Sequence, residues 1–224
     1  YASRRKAEDL IRHGKVLVNG KVITELGTKV EANDIISIDG VIINKDVKHE
    51  YYLLNKPRQV ISSVEDKLGR ITVRDLINTE ARIYPVGRLD YDTTGLLILT
   101  NDGDLANKLT HPKNKIIKTY LAKCAGIITK EQIDKLKKGI YIDDRKVDII
   151  DFKVKKIDKE KNATFISISI IEGRNHIVKR IFESIGLLVD KLTRTHYDFL
   201  DLGNLKSGEY RTLSIKEVKK LYRN

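Results

Sequence analysis

The amino-acid sequence predicts an α+β protein in two parts: a small N-terminal helix-plus-hairpin domain and a larger domain with a mixed, largely antiparallel sheet flanked by helices. Three observations support this prediction. Two short hairpins follow an amphipathic segment within the first part of the chain. Beyond this part the pattern changes to longer strands that alternate with helices. The alternation lacks a strict βαβ rhythm, which favours an α+β fold. We place the domains at 1–47 and 48–224.

The first predicted element is a helix near the N-terminus. Ala7, Leu10 and Ile11 have the spacing of one helical face. Ser3 precedes them as a candidate N-cap, and Gly14 follows as a C-terminal stop. A short amphipathic helix is therefore expected at the start of the chain.

Two hairpins are predicted after this helix. Asn19-Gly20 and Asp39-Gly40 each separate two β-branched runs. These dipeptides are strong signals for type I′ turns, because both central residues of such a turn need a positive φ. The resulting module is small, and the surface-to-volume argument makes it marginal as a domain on its own.

The first half of the larger domain is predicted to begin with strands. Alternation and β-branched content indicate strands at 51–54 and 60–64, a short helix at 72–78, and a buried strand at Leu96–Leu99. A helix follows, with Asp104 as its expected cap and Pro112 just beyond its end. The next strand is expected within 116–127.

The second half of the larger domain continues the alternation. Thr129 and Gln132 have capping-box spacing at the start of a helix that ends at Gly139, and Ser214 and Glu217 repeat that spacing before the last helix. Between them we predict strands at 147–156, 163–171 and 187–199, and a helix at 173–186 whose apolar face contains Ile177, Ile181 and Ile185.

Charge identifies the class of partner. The 224 residues include 43 Lys and Arg against 31 Asp and Glu, a formal net charge of +12, which is typical of proteins that bind a polyanion. Nucleic acid is the first candidate, and an anionic membrane is the second. The sequence contains no stretch with the length of a membrane-spanning helix and no secretory leader. We therefore expect a cytoplasmic protein that does not bind membranes.

The residue counts add three further expectations. Cys124 is the single cysteine, so no internal disulfide and no cysteine-based zinc site can form. His111, His176 and His196 lack the spacing and the neighbours of a metal site, so no metal is predicted. The sequence contains no Met, which predicts that residues precede Tyr1 in the complete protein.

The basic residues are concentrated near the N-terminus. The first 24 residues contain six of them against Glu8 and Asp9. A basic face on a short helix is the usual footprint of phosphate contact, although a solvated helix face would have the same composition. The candidate nucleic-acid-binding residues are Ser3, Arg4, Arg5, Lys6, Arg12 and Lys15.

The stretch GRLDYDTTGLLILTNDG, residues 87–103, places Asp90 and Asp92 two apart, directly before an uninterrupted apolar run. Aspartates are common in turns, so both could simply solvate the end of a buried strand. Alternatively, one of them is a nucleophile or general base at a cleft. A third possibility is a carboxylate pair that hydrolyses a glycosidic bond.

Two resemblances favour the nucleophile. The segment SRRKAEDLIRHGKVLVNGKVI resembles the small RNA-binding domain first described in ribosomal protein S-four. GRLDYDTTGLLILTNDG resembles the signature of bacterial ribosomal RNA pseudouridine synthases, and YYLLNKP, IIKTYLAK and EGRNHIVKRIF are similar to the other motifs of that family. Within the branch that modifies single sites, the sequence is most similar to the large-subunit type B enzymes.

The resemblance to the synthases implies an activity and a set of site residues. Such enzymes convert uridine to pseudouridine in ribosomal RNA, here expected to be large-subunit rRNA, without a cofactor, and we expect a monomer. Asp90 matches the family's nucleophile, Lys179 the cation that keeps it ionised, Tyr120 the pocket tyrosine, and Arg88 the residue that fills the space of the flipped nucleotide.

Two details qualify this resemblance. The family often has Gln where this chain has Ile177, so a polar contact from that position is not expected. The residues Asn55, Lys56 and Pro57 of the first motif are interpreted as mainly structural, a turn beneath the site. Two alternatives remain open at this stage: a catalytically inactive RNA-binding protein, and the carboxylate-pair hydrolase.

Overall fold

The computed structural model describes residues 1–43 and 47–223, and the chain forms two compact units, Tyr1–Lys48 and His49–Asn224. The division lies one residue beyond the boundary expected from the sequence. Within the described ranges, no helix is both long and apolar enough to cross a bilayer.

The described residues of the first unit form one helix and a four-stranded antiparallel sheet of order β2-β1-β3-β4. The Ser3 side chain accepts a hydrogen bond from the Lys6 backbone N–H at 3.3 Å, which makes Ser3 the N-cap as predicted. Asn19 and Gly20 have φ values of 51° and 77°, so the first hairpin is closed by the predicted type I′ turn. The elements are α1 (Arg4–Arg12), β1 (Val16–Val18), β2 (Lys21–Ile23), β3 (Ile36–Ile38) and β4 (Val41–Ile42).

The second unit alternates strands and helices along the chain. Both predicted capping boxes are formed, with Gln132 N–H donating to the Thr129 hydroxyl at 3.2 Å and Glu217 N–H donating to the Ser214 hydroxyl at 3.3 Å. The elements are β5 (Tyr51–Lys56), β6 (Tyr84–Pro85), β7 (Thr94–Thr100), α2 (Gly103–Thr110), a 3₁₀ turn (Pro112–Asn114), β8 (Lys118–Ala125), α3 (Lys130–Lys138), β9 (Tyr141–Ile142), β10 (Arg145–Lys146), β11 (Ile149–Asp158), β12 (Ala163–Ile170), α4 (Ile177–Ser184), β13 (Leu188–Tyr197), β14 (Leu200–Asp201), β15 (Tyr210–Thr212) and α5 (Ile215–Arg223).

The main sheet follows the order β11-β12-β8-β13-β7-β5-β15, with β14 beside β13 and β6 beside β7. Among the described residues, β13 and β7 form its one parallel pair, and the other pairings are antiparallel. The predicted mixed, largely antiparallel sheet is therefore confirmed.

Two apolar cores cover opposite faces of this sheet. In β7, Leu97 and Leu99 face a core that includes Tyr120 of β8 and Ile181 of α4. Leu96 and Ile98 face a second core that includes residues of α2 and α5. A strand buried on both faces reads as one continuous apolar run, which is the pattern that predicted it.

Three local predictions were wrong. Residues 60–64 form no strand, because Ser62 bonds the backbone of Leu89 with its side chain, and the segment makes only an isolated bridge to Thr72. Residues 72–78 form successive turns, in which the Asp75 carboxylate accepts from the Thr72 backbone N–H at 2.8 Å. The cap of α2 is Asp102, which accepts from the Leu105 N–H at 3.0 Å. Asp104 lies instead in the first turn.

Candidate active site

The candidate nucleophile lies on the loop that leads into β7. Leu89 packs in the core on one face of the sheet, and Asp90 and Asp92 follow it. The Thr93 N–H donates to the Asp90 carbonyl at 3.1 Å, which closes a tight turn before the strand begins. The two carboxylates thus lie on an irregular segment held at both ends by buried structure.

Lys56, at the end of β5, holds this loop from below. Its side chain is fully buried, and its ammonium donates to the carbonyls of Pro57 at 3.0 Å, Asp90 at 3.1 Å and Thr93 at 3.0 Å. Burial lowers the pKa of Lys56 to about 8, and the negative charges of Asp90 and Asp92 oppose that decrease. The turn beneath the site is therefore organised by one buried cation.

The first turn of α4 and the residue before it bring two basic side chains to the carboxylates. His176 Nδ1 lies 2.9 Å from Asp90 Oδ2. Lys179 Nζ lies 2.7 and 2.8 Å from the two carboxylate oxygens of Asp92 and 3.7 Å from Asp90 Oδ2. The hydrogen bond from Lys179 holds the pKa of Asp92 below its usual range. The two carboxylates and two bases form one cluster.

The position of Lys179 differs in detail from the expectation. The sequence predicts a pair between Lys179 and Asp90, whereas in this structure Lys179 hydrogen-bonds Asp92 and is within ion-pair distance of Asp90. A lysine side chain is long and flexible, so one ammonium can serve either carboxylate. The next residue, Arg180, faces elsewhere as predicted and pairs with Asp143.

The segment before α4 is anchored by two arginines. Arg180 donates to Asp143 through both terminal nitrogens, and Arg174 pairs with Glu172 and donates to the Ile142 carbonyl. Bidentate pairs of this kind add geometric specificity. They fix the β9–β10 hairpin against the segment that carries His176.

Tyr120 lies in the same row of the sheet as Lys56. Across four neighbouring strands the register pairs Lys56 with Gly95, Gly95 with Arg194, and Arg194 with Tyr120. Residues in one row share a face, and each step between strands is about 4.8 Å. The Tyr120 backbone is thus about 10 Å from Gly95, and its side chain is 8% exposed.

Arg88 is exposed on the loop immediately before Leu89 and Asp90. Ile177, which stands where the family often has Gln, is buried in the core beneath α4. The polar contact that a glutamine could make is therefore replaced by apolar packing at this position.

Sequence reasoning missed two contributions to the site. His176 was treated as an ordinary histidine, yet it contacts Asp90 and has a left-handed φ of 51°, which is uncommon for a residue other than glycine. Its place in EGRNH, three residues before Lys179 and on the same helical side, could have indicated the contact. The interpretation of Lys56 as structural did not reveal its contact with the Asp90 carbonyl.

The basic residues of the first unit remain accessible. Arg4, Arg5, Lys6 and Lys15 are exposed, and the Arg4 pair with Glu8 is a surface contact at 2.9 Å. Ser3 is engaged in capping the helix. Within the described part of the chain, no three His, Cys, Asp or Glu side chains are grouped so that they could ligate a metal ion.

Comparison with known families identifies both units. Residues 50–184 match the model of the RNA pseudouridylate synthase family, and residues 1–36 match the S4 domain. The chain belongs to the RNA pseudouridylate synthase family and has an N-terminal S4 domain.

The similarity to individual proteins extends over almost the whole chain. The ribosomal large subunit pseudouridine synthase B of Bacillus subtilis is 52% identical over 98% of this chain and 90% of that protein. An RNA pseudouridine synthase of Mycobacterium leprae, itself uncharacterized, is 40% identical over 99% of this chain and 88% of that protein. A crystal structure of a pseudouridylate synthase superposes with a TM-score of 0.70 at 29% identity, over 98% of this chain and 94% of the other.

Proposed function

We propose that this chain isomerises one uridine of large-subunit ribosomal RNA to pseudouridine, with Asp90 as the nucleophile. The single observation that carries the proposal is the set of contacts around the Asp90 loop. The carbonyl of Asp90 is fixed by the buried Lys56, and its carboxylate is faced by His176 at 2.9 Å and Lys179 at 3.7 Å. A carboxylate attacks in its ionised form, and contacts of this kind hold its oxygens in a fixed direction.

The proposed reaction needs a nucleophile and proton transfer, and no redox step. Asp90 attacks either the ribose carbon or the uracil ring, and the bond from ribose to the ring nitrogen breaks. The uracil turns over and rejoins the ribose through a ring carbon, and the bond to Asp90 breaks, which restores the free carboxylate. The proton on that carbon then leaves, with the Tyr120 hydroxyl as its proposed route, and the ring nitrogen released from the ribose takes up a proton.

Arg88 and Tyr120 have separate roles in binding the base. A uridine within a folded RNA must leave its stack before the aspartate can reach it, at a cost of a few kcal/mol. Arg88, exposed next to the loop, is proposed to occupy the space of the displaced nucleotide. Tyr120 is proposed to stack on the flipped base.

The N-terminal S4 domain is proposed to hold the RNA. The exposed residues Arg4, Arg5, Lys6, Arg12 and Lys15 supply cations for phosphate contacts. A ribosomal RNA substrate would place the enzyme in the bacterial cytoplasm. We propose that it acts as a monomer, since one chain contains the full candidate set of site residues.

Substitution of the two aspartates tests the proposal. Asp90→Asn should abolish pseudouridine formation in a large-subunit rRNA transcript while RNA affinity and thermal unfolding change little, because the amide is isosteric and cannot attack. Asp92→Asn should keep substantial activity, because Lys179 can then turn to Asp90. Pseudouridine is mapped by sequencing after chemical derivatisation. If Asp92→Asn were inactive and Asp90→Asn were active, the nucleophile would be Asp92 and this assignment would be wrong.

A further inference from the structure

One face of the main sheet carries features that the proposed site does not use. In β8, Tyr120 and Ala122 point into the core shared with α4, so Leu121 and Lys123 point to the opposite face. In β12 the same alternation buries Ile166 and leaves Phe165 half-buried. The surface built on β11, β12, β8 and β13 that faces away from the α4 core is called the outer sheet face below.

A row of lysines crosses the outer sheet face. The strand register places Lys156 of β11 opposite Phe165, Phe165 opposite Lys123, and Lys123 opposite Lys191 of β13. The row contains three lysines, and two of them are paired with Asp158 and Asp190, so the row retains positive charge on both sides of the Phe165 ring.

The charge of this face is positive beyond that row. Strand β11, at the edge of the sheet, adds Lys153 and Lys155. Asp158 is paired with Lys156 at 3.3 Å, and Asp190 is paired with Lys123 at 3.4 Å. Five lysines of the face stand against three aspartates: Lys123, Lys153, Lys155, Lys156 and Lys191, against Asp151, Asp158 and Asp190.

An open groove of about 370 Å³ lies within this basic surface. Its lining is mainly apolar and includes Leu121 and Phe165, and the other lining residues are Lys155, Lys156, Ser167, Thr195 and His196. An aromatic ring surrounded by cations on a sheet is the arrangement that holds single-stranded nucleic acid, since bases stack on the ring and phosphates meet the lysines.

We propose that the outer sheet face binds a second, single-stranded segment of the RNA substrate, with a base stacked on Phe165 and the phosphates on the five lysines of the face. This inference rests on the proposed function of the chain as an rRNA-modifying enzyme. The segment is distinct from the one at Asp90, because the two surfaces lie on opposite faces of the sheet. The contact would restrict the enzyme to RNA whose unpaired strand can pass around the domain.

Lysines on an edge strand have another use, because they prevent edge-to-edge aggregation. Edge protection would account for Lys153, Lys155 and Lys156 on β11. It would not account for Lys123, which lies on the interior strand β8, or for the half-exposed ring of Phe165 beside it.

The test is a charge-reversal variant of the intact chain, Lys153→Glu, Lys155→Glu and Lys156→Glu, with a matched control that reverses the exposed Lys130, Lys216 and Lys219 elsewhere in the same unit. Binding of a large-subunit rRNA transcript is measured at several salt concentrations. Three lost phosphate contacts should lower the slope of log affinity against log salt by about 2, since each contact with a single strand contributes roughly 0.7. We expect at least a tenfold loss of affinity, and less than a threefold loss in the control.

A second variant, Phe165→Leu, keeps the apolar lining of the groove and removes the ring. Loss of one stacked base should weaken binding about tenfold. Photocrosslinking with 4-thiouridine-substituted rRNA, followed by mass spectrometry, should recover a peptide containing Phe165 from the wild-type chain.

The outcomes separate this inference from the proposed function. If the two triple variants lost the same affinity, the effect would come from net charge alone and the inference would be wrong. If the β11 variant bound RNA as the wild type does but aggregated more, its lysines would serve only to protect the sheet edge, and the inference would again be wrong. A wild-type chain that makes no pseudouridine yet shows the β11-specific loss and the Phe165 crosslink would refute the proposed function and leave the outer sheet face as an RNA-binding surface.

Discussion

At the scale of single residues, the candidate site depends on how charges are placed around Asp90. His176 and Lys179 approach its carboxylate from α4, while Lys56 contacts its backbone carbonyl from β5. The side-chain contacts hold the carboxylate oxygens, and the backbone contact holds the loop that carries them. These two functions can be separated by substitution.

Lys179→Ala should remove most of the activity, because it removes the ammonium group that lies 3.7 Å from Asp90 Oδ2 and leaves the half-exposed His176 beside the nucleophile. Lys179→Arg should retain part of it, since charge survives and only geometry changes. His176→Asn is the comparison: Asn tolerates the left-handed backbone and still donates a hydrogen bond to Asp90, so a loss of less than about tenfold is expected. Single-turnover rates at saturating RNA measure all three. Full activity of Lys179→Ala would remove this cation from the mechanism.

Deprotonation of Lys56 should limit the activity of the enzyme at alkaline pH. Its pKa is lowered to about 8 in the folded chain, below the ordinary value near 10.5, so the folded chain releases this proton before the unfolded chain does. Between these pH values the contribution of Lys56 to the free energy of unfolding increases with pH. The neutral amine, however, has two N–H donors for three carbonyls, so kcat should fall above pH 8.

The Lys56→Met variant isolates this effect. The difference in the free energy of unfolding between wild type and variant, measured by urea denaturation from pH 7 to 10.5, should grow in favour of the wild type as the pH rises. The variant should also lack the decline of kcat near pH 8. Parallel curves for the two proteins would show that Lys56 does not titrate in this range.

At the scale of elements, the site depends on the close approach of β7 and β13. Gly95 has a φ of 107°, and a Cβ at this position would lie 2.2 Å from the carbonyl oxygen of Arg194 and 2.7 Å from its nitrogen. Both atoms belong to the backbone of the neighbouring strand and cannot move alone. The pair of strands therefore needs a glycine five residues after the proposed nucleophile.

Gly95→Ala should lower the free energy of unfolding by about 3 kcal/mol or more, from backbone strain and strand displacement together. It should also reduce kcat, because β7 carries the Asp90 loop. Gly103→Ala is the matched control: its Cβ would meet only the Tyr84 hydroxyl at 3.5 Å, at the first position of α2, so little change in stability is expected. Urea denaturation measures the free energy of unfolding of both variants. A Gly95→Ala variant as stable as the wild type would contradict the close approach of the two strands.

At the scale of the whole molecule, charge is distributed unevenly along the chain. The basic helix α1 exposes Arg4 and Arg5, while the second unit contains the candidate catalytic residues. If the first unit anchors RNA, its cations should control affinity and leave the chemical step unchanged.

Arg4→Glu with Arg5→Glu should weaken binding of the rRNA transcript and reduce its salt dependence, while saturating RNA should restore much of the rate. The same number of reversals at Lys216 and Lys219 of α5 controls for net charge. If the double variant had the affinity, the salt slope and the modified site of the wild type, the basic helix would be only a solvated face.

Local hydrogen bonding and periodicity allowed much of the fold to be predicted. The Ser3 cap, the Asn19-Gly20 turn and the Thr129 capping box each involve groups a few residues apart, so the sequence contains both partners together. The apolar face of α4 follows from a single period. The predictions of a strand at 60–64 and a helix at 72–78 were wrong because side-chain contacts there replace regular backbone hydrogen bonding.

The sequence by itself determined the two-part α+β organisation, the polyanion-binding charge and, through its motifs, the candidates Arg88, Asp90, Tyr120 and Lys179. Only the tertiary structure decided that Lys56 holds the Asp90 loop across a separation of 34 residues and that Lys179 hydrogen-bonds Asp92. It also decided the strand order that assembles the outer sheet face. Contacts between distant segments depend on which strands pair and which faces they bury, and neither periodicity nor local propensity contains that information.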